Sequence, residues 1–130
     1  SLEDDEDYFT FVVADDDRYA IAMSLRKDEL FRKSGISSYT SMRKVLDELI
    51  LTRGSVESID TRRNRVELYD SYNWSPFYKE WRSNRNNVYV DVEEALILRG
   101  HRVIEIRDID EDDLVYILRY DEDGIVIFVE

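Results

Sequence analysis

The C-terminal quarter of the chain restricts its choice of fold more than any other part. Residues 102–130 hold three runs, RVIEIR, LVYILRY and IVIFVE, separated by the acidic stretches DIDEDD and DEDG. Runs rich in β-branched and aromatic residues, bounded by polar turn formers, read as strands. Three such runs with short acidic connections predict a three-stranded antiparallel meander.

The same signals recur upstream. YFTFVVA (8–14) is β-branched and aromatic, and Tyr19, Ile21, Met23 and Leu25 alternate with small residues, so a hairpin through DDDR is expected. A helix from Tyr19 is the competing reading, because alanine, methionine and leucine favour it. Val56–Asp60 and Arg65–Tyr69 flank TRRN and read as a second hairpin with a basic tip. Helical signals lie between these strands. KDELFRK stops at Ser34-Gly35, and Met42, Val45, Leu46, Leu49 and Ile50 fall on one helical face that ends before Gly54. Ser75-Pro76 reads as a cap and first position of a short helix through Trp81, and Asp91 as the cap of VEEALILR, which stops at Gly100. VYV (88–90) is a brief strand. The expected class is α+β: an antiparallel sheet made of an N-terminal hairpin, a central hairpin and the C-terminal meander, with three to four short helices. Residues 1–7 form an acidic tail, a candidate for disorder, and 8–130 a single domain.

At 130 residues, one core suffices without staples, and zero cysteines exclude disulfides, thiolate metal sites and cysteine nucleophiles. No apolar run approaches the roughly 18 to 20 residues needed to span a bilayer. The acidic start SLEDDEDYF is also unlike a signal or transit peptide. A soluble cytoplasmic protein without a membrane partner is expected. The formal charge of −12 is unevenly spread: residues 1–25 carry −7, residues 108–130 carry −8, and residues 26–107 carry +3, mostly as arginine. Acidic ends suit a basic partner, and a basic middle can meet a polyanion within a Debye length of about 8 Å.

Within that middle lies YDSYNWSPFYKEW, Tyr69 to Trp81, with six of the chain's sixteen aromatics and its only proline. A helix from Pro76 would set Phe77 and Trp81 four apart, so these two are expected to pack into the core. Tyr69, Tyr72, Trp74 and Tyr78, with Arg82 and Arg85 following, have the aromatic and arginine composition enriched at interfaces and are the candidate partner-binding residues. The same pairing can stack on unpaired bases.

Other chemistry is largely excluded. Asp108, Asp110 and Asp112 have the first spacings of a calcium loop. However, Asp113 stands where glycine is required and Arg119 where a bidentate glutamate is required. His101, the only histidine, follows Gly100 where it can interact with helix-terminal carbonyls, so a two-histidine metal site cannot exist. All four glycines sit at helix ends or turns, leaving no loop to cradle phosphate. No catalytic residue, metal ligand or cofactor is assigned. The segment LFRKSGISSYTSMRKVLDELILTRG followed by VESIDTRRNRVELY, residues 30–69, resembles a winged helix-turn-helix. That resemblance implies a reading helix presenting Ser41, Arg43 and Lys44 to nucleic acid, with Arg62, Arg63 and Arg65 as wing contacts. Three readings follow. The first is a non-enzymatic protein-interaction module with acidic ends and a basic-aromatic middle, the second a nucleic-acid-binding regulator, and the third a metal-dependent hydrolase using the acidic turns.

Overall fold

A computed structural model describes residues 8–15, 19–26, 48–100 and 102–130, with the backbone alone described for the first two segments. The chain divides into two compact units, residues 1–42 and 43–130. In the first, β1 (Tyr8–Asp15) and β2 (Tyr19–Arg26) pair antiparallel over their full lengths, Tyr8 opposite Arg26 and Asp15 opposite Tyr19. The alternation in this segment thus forms a hairpin rather than the competing helix.

The second unit is a single eight-stranded sheet. Its strands are β3 (Ile50–Asp60), β4 (Arg65–Ser75), β5 (Glu80–Ser83), β6 (Val88–Asp91), β7 (Leu96–Arg99), β8 (Arg102–Ile104), β9 (Leu114–Tyr120) and β10 (Asp123–Val129). The main path runs β5-β4-β3-β9-β10-β7-β8. β6 departs from it: Val88–Asp91 pairs antiparallel with Arg65–Leu68 of β4, while Asp91 pairs in parallel with Asp123 of β10. Through β6 the sheet closes into a ring of β3, β4, β6, β10 and β9. Closure leaves β3, β4, β6, β9 and β10 paired around the ring, while β5 and β8 remain as short edge strands.

The ring encloses the core. Val56, Val66, Leu68, Val90, Val115, Ile117 and Ile127 are buried, each on a ring strand at alternate positions. Two glycines permit the close approaches this requires. A Cβ on Gly54 would lie 2.9 Å from that of Ser71, where β3 bends and its register with β4 shifts. A Cβ on Gly124 would lie 3.0 Å from Val90 Cγ1 and 3.2 Å from the Asp91 carbonyl oxygen, at the β6–β10 closure.

The α+β expectation is therefore corrected. Among the described residues, helix is confined to Glu48 and a single 3-10 turn at Ile106–Asp108. At Ser75-Pro76 the cap is real, since the Ser75 hydroxyl accepts the Tyr78 N–H at 3.2 Å, but Lys79 at φ 54° ends the turn and the chain reverses into β5. At Asp91 the carboxylate likewise accepts the Glu93 N–H at 2.9 Å, yet one turn later Leu96–Arg99 is strand β7, paired in parallel with β10. Ile50, read as the last apolar position of a helix, opens β3 opposite Arg119. The expected helices in 26–34 and 42–47, and His101, lie outside the described residues. The meander is corrected as well: β9 and β10 form the hairpin, but β8 pairs with β7 on the far side of β10. The winged-helix expectation is corrected at its "wing", which is two 11-residue strands built into a closed sheet.

Candidate functional site

β3, β4, β5 and β9 carry different chemistry on their two faces, because strand side chains alternate. The inner face near one end of the ring holds a polar network. Thr52 Oγ1 donates to Asn73 Oδ1 at 2.7 Å and accepts from Arg119 Nε at 2.8 Å. Asn84, just past β5, donates from Nδ2 to Ser71 Oγ at 3.0 Å and to Asn73 Oδ1 at 3.1 Å, and its backbone N–H donates to the Ser71 carbonyl at 2.9 Å. Arg119 Nη1 donates to the Asp121 carbonyl oxygen. Thr52, Ser71 and Arg119 are buried. Burial holds the Arg119 guanidinium below its ordinary pKa, opposed by the charges of Asp121 and Glu122. Among the described residues no carboxylate pairs with it, so neutral oxygens satisfy a buried cation.

The outer face of the same strands holds an aromatic cluster. Trp74 and Trp81 are directly opposed across β4 and β5, ring centroids 5.4 Å apart in an edge-on arrangement. Trp81 also meets Tyr116 edge-on at 6.3 Å. The Arg53 guanidinium lies 4.6 Å from the Trp81 ring and 5.0 Å from that of Tyr72. Arg53 opens a row that crosses the sheet in register with Tyr116, Phe128, Leu98 and Val103, from buried Tyr116 to exposed Val103 at the far edge.

The β4–β5 turn projects beyond this cluster. Phe77 at its tip is 85% exposed and Tyr78 58% exposed, their rings edge-on at 4.9 Å. Arg82 covers the Tyr78 ring at 3.9 Å while bonding Glu80 at 3.2 Å. The expectation that Phe77 packs in the core is thus corrected. It follows from the turn: Phe77 sits at the point of chain reversal, where no neighbouring strand can cover it.

Of the candidate partner-binding residues, Tyr72, Trp74, Tyr78 and Arg82 come together on the β4–β5 hairpin, and Arg85 is exposed in the loop that follows. Tyr69 does not join them. Its hydroxyl donates to Asp112 Oδ1 at 2.8 Å, and that bond is the main cause of its raised pKa. Arg53, Phe77 and Trp81 were not among the site candidates. Arg53 is marked in the sequence only by lying two residues from Leu51, on the same face of a strand.

Of the nucleic-acid candidates, Ser41, Arg43 and Lys44 lie outside the described residues. Arg62 and Arg63 are exposed at the β3–β4 turn, where both backbone N–H groups donate to Asp60 Oδ1 at 3.1 Å. Arg65 stacks over Tyr89 at 5.3 Å instead of joining them. The acidic turns are used internally: Asp113 pairs with Arg99 at 3.0 Å, and Asp112 takes the Tyr69 hydroxyl. Among the described residues no group of three or more acids and histidines could hold a metal ion, and no helix is long and apolar enough to cross a membrane.

No protein-family model, curated protein or solved structure matches the chain.

Proposed function

We propose that the protein is a non-enzymatic interaction module that grips another protein with the β4–β5 hairpin. The observation that supports this reading is the 85% exposure of Phe77, edge-on to Tyr78 at the tip of the hairpin whose strands carry the Trp74–Trp81 pair. Aromatic and arginine side chains are the residue types that anchor interfaces. The net charge of −12 argues against a polyanionic partner at long range. The acidic ends leave room for a partner that is basic elsewhere. We place the module in the cytoplasm, where a cysteine-free chain has no need of oxidative staples.

The test is affinity capture from extract of the source cells with wild-type protein and Phe77→Ser side by side. Partner proteins are expected on the wild type and not on the variant. Identical retained sets would refute the reading. Tryptophan emission titrated with duplex DNA, single-stranded DNA and RNA at low and high salt is expected to show no saturable change. Salt-sensitive binding there would replace a protein partner with a nucleic acid.

A further inference from the structure

We propose that the surface which receives the hairpin is an apolar protein pocket rimmed by carboxylates, an inference that rests on the hairpin being the grip. The argument is one of local charge. The chain carries 30 acids in 130 residues, yet from Tyr72 to Tyr89 there is one, Glu80, against Lys79, Arg82 and Arg85. Glu80 is already matched: Arg82 Nη2 lies 3.2 Å from its Oε1. Lys79 and Arg85 are exposed and pair with no acid among the described residues. The most exposed apolar side chain on the described surface is therefore flanked by uncompensated cations, on a protein that is otherwise strongly acidic.

Each part of this patch has a complement. Phe77 and Tyr78 require an apolar recess, since burying aromatic rings against polar surface gains little. Lys79 and Arg85 require acceptors at its rim, because desolvating an unpaired cation at an interface is costly. A phosphate backbone meets the second need but not the first, and two free cations displace few counterions. Among the described residues, a second copy of this chain does not offer both together. Its acidic turns at 108–113 and 121–123 display no exposed large apolar residue; those exposed among the described residues are Phe77, Tyr78, Tyr89 and Val103. A copy seated there would also be joined head to tail, building rings or open chains rather than a closed two-fold dimer.

The test replaces Phe77 with benzoylphenylalanine, which keeps an aromatic ring and forms covalent adducts on illumination, in the cells that make the protein. A parallel version carries Lys79→Glu and Arg85→Glu. Both side chains are exposed and unpaired among the described residues, so the fold is expected to hold, checked by an unchanged far-ultraviolet spectrum. A Lys79→Gln, Arg85→Gln version removes charge without reversing it.

The expected result is an adduct to a protein peptide in which apolar residues are flanked by Asp and Glu. Its yield should fall about tenfold in the Glu version and less in the Gln version, in line with loss of electrostatic steering. For purified components it should also fall as salt rises from about 0.1 to about 1 M, which shortens the Debye length from about 10 to about 3 Å. Adducts with unaltered yield across the charge variants would overturn the carboxylate rim while leaving the grip intact. Adducts to a second copy of the chain would overturn the inference in favour of self-association. Adducts to nucleic acid, or none of discrete mass, would overturn both the rim and the grip.

Discussion

Removing one methyl-sized polar group from the inner network should destabilise the protein more than removing the charge it serves. Thr52 is fully buried, and its hydroxyl does two things: it accepts from Arg119 Nε at 2.8 Å and donates to Asn73 Oδ1 at 2.7 Å. Thr52→Val keeps the shape of the side chain and deletes both bonds. A bond to a charged group contributes about 1.5–3 kcal/mol and a neutral one about 0.5–1.5 kcal/mol, so the loss is about 2–4.5 kcal/mol. It lies toward the upper end because the guanidinium is left buried with one N–H unmet. Arg119→Met removes the cation together with its desolvation cost, and Thr52 keeps its bond to Asn73. Replacing a buried charge by an apolar side chain of similar length is often near neutral, so a loss below about 1.5 kcal/mol is expected. The double variant should recover much of the Thr52→Val loss, with a coupling of about 1.5–3 kcal/mol. Urea unfolding followed by tryptophan emission and far-ultraviolet dichroism measures all three, with an unchanged slope required for the comparison. If Arg119→Met proves the more damaging, or the two losses simply add, the network is not what holds the buried cation.

The hairpin, the closure and the alkaline limit can each be checked in the same way. Asn84→Ala removes two side-chain bonds to β4, about 1–3 kcal/mol at the hairpin base, and should weaken the tryptophan exciton signal of the Trp74–Trp81 pair while amide exchange in β9 and β10 stays slow. An unchanged exciton signal would show that the ring pair alone sets the register. Gly124→Ala forces a Cβ against Val90 and the Asp91 carbonyl and should cost about 1–3 kcal/mol by urea unfolding. A neutral result would mean that the β6–β10 closure yields easily. The Tyr69 pKa is raised above its ordinary 10.0 by the hydrogen bond to Asp112, so its contribution is present below pH 10 and lost as pH rises through the folded value. Tyr69→Phe should therefore flatten the stability profile in that alkaline window, and an identical slope in both proteins would contradict the assignment.

The strands were legible where the apolar pattern had period two and acidic or basic turns bounded it, as in 8–26, 56–69 and 114–130. What misled was the punctuation of helices. Ser75-Pro76 and Asp91 make the first hydrogen bonds of a cap, and a cap states only how a turn begins. Whether the turn propagates is settled by partners far along the chain: Trp74 waits opposite Trp81, and β10 opposite Leu96–Arg99. The run ALILR fits a helix or a strand equally well, and neither composition nor spacing reveals that a parallel neighbour 30 residues away will claim it. The placement of β8 beside β7 was hidden because its sequence neighbour, Leu96–Arg99, was read as the end of a helix, leaving LVYILRY as the nearest strand to pair with. In the candidate site, the aromatic and arginine composition marked Tyr72, Trp74, Tyr78 and Arg82, whereas Phe77 was assigned to a helix face that never forms.

The alternation of β3 and β4 ties these two lessons together. Thr52, Ser71 and Asn73 face the polar network, while Arg53, Tyr72 and Trp74, their immediate neighbours in sequence, face the aromatic cluster. A slip of β5 by one residue would exchange the faces, turning Trp81 inward and Arg82 outward. β5 is only four residues long and, on the main path of the sheet, pairs with β4 alone, so its own ladder resists such a slip weakly. Asn84 adds three hydrogen bonds to β4 at the point where β5 ends. These bonds are directional, unlike the contacts of the aromatic rings, and they are satisfied in one register only. If the hairpin is the grip, its apparent affinity is the intrinsic affinity multiplied by the fraction of molecules in that register. Changes on the inner face, away from Phe77, should then weaken binding in proportion to the population they release, and a partner in excess should restore it.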